Sequence, residues 1–343
     1  DVTSGCSPLL IQFTDSSSSA SGHQWFMNNQ LFSTQANPIQ SFVNLSSTTD
    51  SIIEIKLLFQ SGLGCKDSIS KQIVVLPKPT SLFIMPSALC GGDSISMVNT
   101  SMVKPGSASY QWSVSSSAVQ ISNPTDAYPV ITFPTFSTGV DSLYNVCLIS
   151  TSSDGCSDTL CQNILVYSKP VAQFTMPAAS CAPVSISPVN QSIGSSNSYT
   201  WQIRPTQNVQ VSNSAAAQPV FHFTSPSQDS TVYRISLTLI DSNGCADSSF
   251  QFYTVYAQPT AGFTVANKDS CSPFNVQFTN VSTAGLSGLG QSLSYQWQVG
   301  GASFSSTHLN RTFTNSGVVD SVYHISLITT NSLGCSDTIN DSI

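Results

Sequence analysis

The sequence predicts an all-β chain, four tandem β-sandwich repeats in an extended rod, and three observations predict it. A Gly-Cys-x-Asp motif occurs at Gly64-Cys65-Lys66-Asp67, Gly155-Cys156-Ser157-Asp158, Gly244-Cys245-Ala246-Asp247 and Gly334-Cys335-Ser336-Asp337, with its cysteines 91, 89 and 90 residues apart. An upstream cysteine keeps nearly the same period at Cys6, Cys90, Cys181 and Cys271, and one tryptophan follows each, at Trp25, Trp112, Trp201 and Trp297. Between these landmarks, short runs alternate apolar and polar residues, the period of a half-buried strand. A fixed period marks a tandem array, and one tryptophan per repeat is expected in each core.

Composition sets the limits. Charged residues are 8% and hydrophobic residues 40% of the 343, so the chain has enough apolar surface to build cores and does not read as disordered. The net charge of -7 comes from 16 Asp and one Glu against 10 Lys and Arg. With no basic run, nucleic acid is excluded as an expected partner. No stretch approaches the roughly 18 apolar residues needed to span a bilayer, and Asp1 opens no signal peptide. A soluble, mature fragment is expected.

The third repeat shows the strand pattern. Pro183 to Val189 alternates, Tyr199 to Ile203 alternates, Val220 to Phe223 follows, and Thr231 to Ile240 sets Tyr233, Ile235, Leu237 and Leu239 on one face and Arg234, Ser236 and Thr238 on the other. Asp241-Ser242-Asn243-Gly244 then supplies a turn into a final strand through Phe252 and Val255. Boundaries are expected at the linkers Pro77-Lys78-Pro79, Ser168-Lys169-Pro170 and Ala257-Gln258-Pro259. They divide the chain into 1–77, 78–168, 169–257 and 258–343, and short proline linkers favour a stiff rod.

Ten cysteines, an even number, read as disulfides made in an oxidising compartment, with buried thiols or zinc as the alternative. No CxxC pair exists and the histidines are only His23, His222, His308 and His324, so zinc has little support. The two recurring cysteines of each repeat are expected to pair, Cys6 with Cys65, Cys90 with Cys156, Cys181 with Cys245 and Cys271 with Cys335, on the view that both lie at one pole of the sandwich. Cys147 and Cys161 straddle the turn that holds Cys156, and are expected to form a surface cross-strand disulfide. A redox pair is the alternative, but nothing basic flanks either thiol.

Each repeat resembles a polycystin-type (PKD) domain, an immunoglobulin-like sandwich common in bacterial surface proteins. The resemblance rests on Tyr110-Gln111-Trp112, Tyr199-Thr200-Trp201 and Tyr295-Gln296-Trp297, on strands such as Val232 to Leu237, and on the closing turn. Where the family shows an Asp-Phe-Gly-Asp-Gly-like stretch after the tryptophan, this chain has Phe26-Met27-Asn28, Ser113-Val114-Ser115, Gln202-Ile203-Arg204 and Gln298-Val299-Gly300. Cysteine-containing repeats of this style are similar to those of long secreted adhesins and gliding-related proteins of Bacteroidota, which use type IX secretion. The resemblance implies an extracellular, cell-surface protein. The first repeat lacks the Pro-x-Ala-x-Phe strand that opens the third and fourth, and the fourth stops before the Leu-Val-Tyr that closes the second. A slice of a longer array is therefore expected, with exchange of edge strands between chains as the alternative.

Catalytic motifs are absent: there is no Gly-x-Ser-x-Gly, HExxH or P-loop, and no catalytic or metal-ligating residue is assigned. No cofactor is expected, although acidic turns such as Asp154-Gly155 with Asp158 offer oxygens to a structural calcium. A dense Asp-Ser/Thr motif is similar to the O-glycosylation signal of exported Bacteroidota proteins, and makes Ser51, Ser68, Ser94, Ser142, Thr159, Ser230, Ser321, Thr338 and Ser342 candidate acceptors. The plain alternative is that Asp opens a strand after a turn. The leading functional expectation is a stalk or filament segment, partnered by neighbouring repeats of a longer chain or by copies of itself. The alternatives are an adhesin that binds glycan or protein through one divergent repeat, by the Ala284 to Gln291 insertion or the extra disulfide, and an accessory segment of a secreted hydrolase. Lateral self-association is a further expectation, because Phe250 falls at the outward position that Cys161 holds.

Overall fold

Alternation builds the sheets. In Thr231–Ile240 the residues Tyr233, Ile235, Leu237 and Leu239 are completely buried, while Val232, Arg234 and Ile240 are exposed. The computed structural model describes residues 2–18, 20–137, 139–194, 198–224, 229–285 and 292–343, and every regular element among them is a strand. The all-β tandem immunoglobulin-like architecture expected from the sequence is the one observed.

A common sheet organises the first three repeats. Its order in the first is Ser4–Cys6, Lys66–Leu76, Ser51–Ser61, Ala20–Met27 and Gln30–Ser33. In the second it is Ala88–Cys90, Ser157–Tyr167, Ser142–Thr151 and Ser109–Val114, and in the third Ser180–Cys181, Ala246–Tyr256, Thr231–Ile240 and Ser198–Arg204. The short strand that carries the first cysteine runs parallel to the closing strand, and the other pairings are antiparallel. In the fourth repeat the sheet is Ser336–Ser342, His324–Asn331, Leu293–Val299 and Ala302–Phe304.

Smaller sheets close each sandwich, one in the first and fourth repeats and two in the second and third. Ile11 and Phe42, from Leu9–Gln12 and Ile39–Phe42, pack with Trp25, Ile53, Leu57 and Val75 of the larger sheet. Three further cores, centred on Trp112, Trp201 and Trp297, each draw only on residues of their own repeat. The chain divides into two compact units, Asp1–Lys169 and Pro170–Ile343, with two cores in each. All four tryptophans are buried, and each indole N–H donates to a backbone carbonyl, those of Gln35, Asp126, Ala216 and Ser306, at 2.9–3.0 Å. A buried indole needs such a partner, so each ring fixes the loop beyond its strand as well as filling the core.

From Pro183 to Val189 exposure alternates as expected, but the segment is not one continuous strand. Val184–Ile186 pairs with Phe221–Phe223, whereas Val189–Asn190 pairs with Phe174–Thr175. Pro188 lies between them and has no N–H to give to a ladder, so the chain changes partner there. Of the Ala284 to Gln291 insertion, residues 286–291 lie outside the described residues.

The last hairpin is the most regular feature of the array. Gly64, Gly155, Gly244 and Gly334 take φ of +89°, +83°, +85° and +83°, a region that glycine enters without penalty. Each donates its N–H to the carbonyl three residues back, on Ser61, Ser152, Asp241 and Asn331. A side-chain oxygen of that same polar residue accepts the N–H of the cysteine that follows the glycine, at 2.9–3.3 Å. The turn thus sets the position of each Gly-Cys cysteine.

Truncating a core position should separate packing from surface chemistry. Leu237→Ala is expected to cost about 2–5 kcal/mol, whereas Gln202→Ala, on the exposed face of Ser198–Arg204, should stay within about 0.5 kcal/mol. Denaturant titration of each variant reads both.

Candidate functional site, the junction between repeats

Strand register decides where the cysteines can go. Cys6 pairs with Leu76, Cys90 with Tyr167 and Cys181 with Tyr256, each at the far end of its own closing strand. The Gly-Cys cysteine immediately precedes the start of that strand. Eleven residues at about 3.3 Å each separate the two positions by roughly 35 Å, against a Cα–Cα limit of about 7 Å for a disulfide. The two cysteines of each of the first three repeats therefore lie at opposite poles.

The pairing expected within each repeat is accordingly wrong. Cys6 bonds Cys156, and Cys181 bonds Cys335, each with Cα–Cα 5.5 Å. Both join the first cysteine of one repeat to the hairpin cysteine of the next. Cys90 and Cys245 are also disulfide-bonded. Cys65 and Cys271, both expected in disulfides, are free and exposed. Cys147 and Cys161 are bonded to each other across directly paired positions of the last hairpin, with Cα–Cα 4.1 Å. The corresponding pairs elsewhere are Lys56 with Ser70, Ser236 with Phe250, and Ser326 with Asn340.

The aspartate of Gly-Cys-x-Asp has a structural task. Asp158 accepts the Ser81 N–H at 2.9 Å, Asp247 that of Ala172 at 2.8 Å, and Asp337 that of Ala261 at 2.9 Å. Each pins the chain just after a linker to the hairpin of its own repeat, beside the staple. Lys78 of the first linker also reaches Asp158, at 2.7 Å. Partial burial pushes the Asp158 carboxyl up, but the Lys78 ammonium and the Ser81 amide outweigh it and hold the group below its ordinary value.

Further contacts close the two described junctions. In the first unit, Lys104 bridges Asp154 and Asp50 at 2.8 and 2.7 Å, and these hydrogen bonds hold its ammonium above the usual lysine range. Ser47 and Thr80 share a hydroxyl hydrogen bond of 2.6 Å. In the second unit, the Asn331 side chain donates to the Ala257 carbonyl and that of Gln258 to the Ser336 carbonyl, both at 3.1 Å. Pro77, Pro79 and Pro259 of these linkers are buried.

The other candidate residues do not converge. His23 meets Asp15 at 2.8 Å, His222 meets Ser185 at 2.8 Å, and His308 accepts the Asn280 N–H at 3.1 Å, each at a different repeat position. Among the described residues no group of three or more His, Cys, Asp or Glu could hold a metal ion. The carboxylates of Asp154 and Asp158, named above for calcium, are engaged by Lys104 and by Lys78 with Ser81. Of the candidate acceptor hydroxyls, Ser68, Ser94, Thr159, Ser321 and Thr338 belong to exposed residues, and Ser51, Ser142, Ser230 and Ser342 to half-buried ones. Sequence reasoning missed Lys78, Lys104 and the polar residue four positions before each hairpin cysteine. The last left a signal, since Ser61, Ser152, Asp241 and Asn331 all carry an acceptor at that offset.

No family model and no curated protein matches the chain. Among solved structures, the human desmocollin-1 ectodomain is similar over 100% of this chain and 79% of its own, at 10% identity and TM-score 0.27. Drosophila N-cadherin EC1-4 is similar over 97% and 93%, at 9% identity and TM-score 0.25. Titin domains A168-A170 are similar over 77% and 98%, at 13% identity and TM-score 0.28. Likenesses this faint carry no argument about what the chain does.

Two measurements test the junction. Non-reducing peptide mapping is expected to recover Cys6–Cys156, Cys147–Cys161 and Cys181–Cys335, and recovery of Cys6–Cys65 would falsify the arrangement. Asp158→Ala should cost roughly 2 kcal/mol at neutral pH. Because the folded value of Asp158 lies below its unfolded one, that contribution is complete above about pH 4 and is lost as pH falls through the folded value. Thermal melts of variant and parent should therefore converge in acid and diverge at neutral pH.

Proposed function

We propose that the chain is a structural repeat segment, a stalk or filament piece of a secreted bacterial surface protein, which works outside the cell as a load-bearing spacer. Four sandwich domains, 1–77, 78–168, 169–257 and 258–343, are its units. The observation that carries this reading is that the disulfides run from one repeat to the next. A disulfide confined to one domain would stabilise that domain alone; these add a second covalent link beside a linker.

That geometry suits tension. A pull on the two ends passes directly from Cys6 to Cys156 and from Cys181 to Cys335, so that the chain between the partners is spared the load. The bonded residues are 150 and 154 positions apart. In the chain-entropy argument, closing loops of that size stabilises by about 5 kcal/mol each. Disulfides of this kind form in oxidising surroundings, which supports an extracellular site. No helix among the described residues is long and apolar enough to cross a membrane.

The PKD-like motifs support a Bacteroidota surface protein and, with it, type IX export. Glycans on the exposed Asp-Ser/Thr sites belong to the same reading, and would hydrate a surface with few charges of its own. An intact mass equal to that of the bare polypeptide would remove the glycans from the proposal.

A second reading, adhesion, draws on the outer face of the third repeat. There Phe250 and Phe252 stand exposed 5.7 Å apart, and the Arg234 guanidinium lies 4.1 Å above the Phe250 ring. An exposed aromatic pair with a stacked cation suits a glycan or protein contact.

Single-molecule stretching tests the load-bearing reading. The oxidised chain should resist extension over both spanned stretches, and reduction should release about 500 Å of contour for each of them. Equal extension before and after reduction would overturn it.

A further inference from the structure

The connectivity of the staples makes a statement about the two cysteines outside it. Cys6 bonds Cys156 and Cys181 bonds Cys335, so each bond joins the first cysteine of a repeat to the hairpin cysteine of the repeat that follows. Under that rule, the hairpin cysteine of the first repeat and the first cysteine of the fourth find no partner among these four repeats. These are Cys65 and Cys271, the two free cysteines.

Their surroundings repeat those of the bonded sites, with the neighbour missing. Cys156, Cys245 and Cys335 are about 1% exposed, whereas Cys65 stands open to solvent on an otherwise equivalent glycine turn. Leu63 is 95% exposed, against 41% for Leu333 at the same offset from the stapled Cys335. Ile69 is exposed, while Leu160 and Ile339 at its position pack against their cores. Asp158, Asp247 and Asp337 each accept a post-linker N–H, and Asp67 accepts the N–H of its own neighbour Ser68. At the other end, Cys271, Ser272 and Pro273 form an exposed segment in no described strand, where Cys6 and Cys181 sit in strands and are half-buried.

We propose that Cys65 and Cys271 are complementary docking cysteines of this same kind, each built to staple another repeat of the same design, and that copies of this chain join head to tail through them under oxidising conditions. Formation needs an oxidant, and a small disulfide such as oxidised glutathione suffices. One protein thiolate attacks a glutathione sulfur and releases one glutathione thiolate. The second protein thiolate then attacks the protein-bound sulfur and releases the other, so that two protein thiols lose two electrons and two protons and two glutathiones are formed. The inference stands on the disulfide connectivity, independently of any role in bearing load.

Because the two halves differ, the reaction has a direction. The chain, incubated with oxidised and reduced glutathione and run without reductant, is expected to give a ladder of dimer, trimer and longer species whose linking peptide contains Cys271 bonded to Cys65. Cys65→Ser and Cys271→Ser should each stay monomeric alone and, when mixed, give a dimer and nothing longer. Symmetric Cys65–Cys65 or Cys271–Cys271 dimers from the single variants, or a mixture that stays monomeric, would overturn the proposal. Both variants keep the internal staples, so unchanged thermal melts exclude misfolding as the cause of any result.

Discussion

The length of the closing strand governs this molecule. Lys66–Leu76, Ser157–Tyr167 and Ala246–Tyr256 are each eleven residues long, and each has a hairpin cysteine at its start and a first-cysteine strand beside its end. A rigid ladder of that span holds the two sulfurs of one repeat permanently apart. Cys6 and Cys181 instead meet Cys156 and Cys335 on the repeat that follows, so a local fact of strand geometry becomes a rule for joining repeats. The buried prolines, the aspartate that pins the post-linker chain and the Lys104 bridge all gather around the point that this rule selects.

Much of the fold could be read directly from the residues. The two cysteine series, the four indoles and the alternation in Thr231–Ile240 give the number of repeats, the β class and the buried face, because burial and strand period impose them on the local sequence. The pairing of the sulfurs could not be read that way. With repeats nearly identical in spacing, a bond within a repeat and a bond to the next satisfy the same pattern of residues. What separates them is the parallel alignment of Ser4–Cys6 with the far end of Lys66–Leu76, a contact between segments some 70 positions apart that leaves no local trace. The break at Pro188 was legible in principle, since proline withdraws a donor from the ladder. Lys104 was not, because its two carboxylate partners come from different repeats and nothing in the neighbouring residues announces them.

The chain also shows how a protein with so little charge fixes its loops. Side-chain oxygens of Ser, Asn and Asp hold backbone amides at turn after turn, as Asn44, Asn99, Asn190 and Asn280 each do for the residue two positions on. Such bonds satisfy amides that the sheets leave over without requiring a counter-ion. This accounts for a composition rich in small polar residues and for cores that are nearly free of buried polar groups.

The joined sulfurs also change what a cut means. A protease that opens the backbone near Pro77, between the first two sandwiches, would ordinarily separate them. Here the fragment before the cut stays tethered through Cys6 to Cys156, and a break between the third and fourth sandwiches is bridged in the same way through Cys181 and Cys335. At these positions a single scission leaves one molecule, and severing it takes both hydrolysis and reduction. Redundancy of that sort suits a polypeptide that is exposed to hostile surroundings and cannot be resynthesised in place.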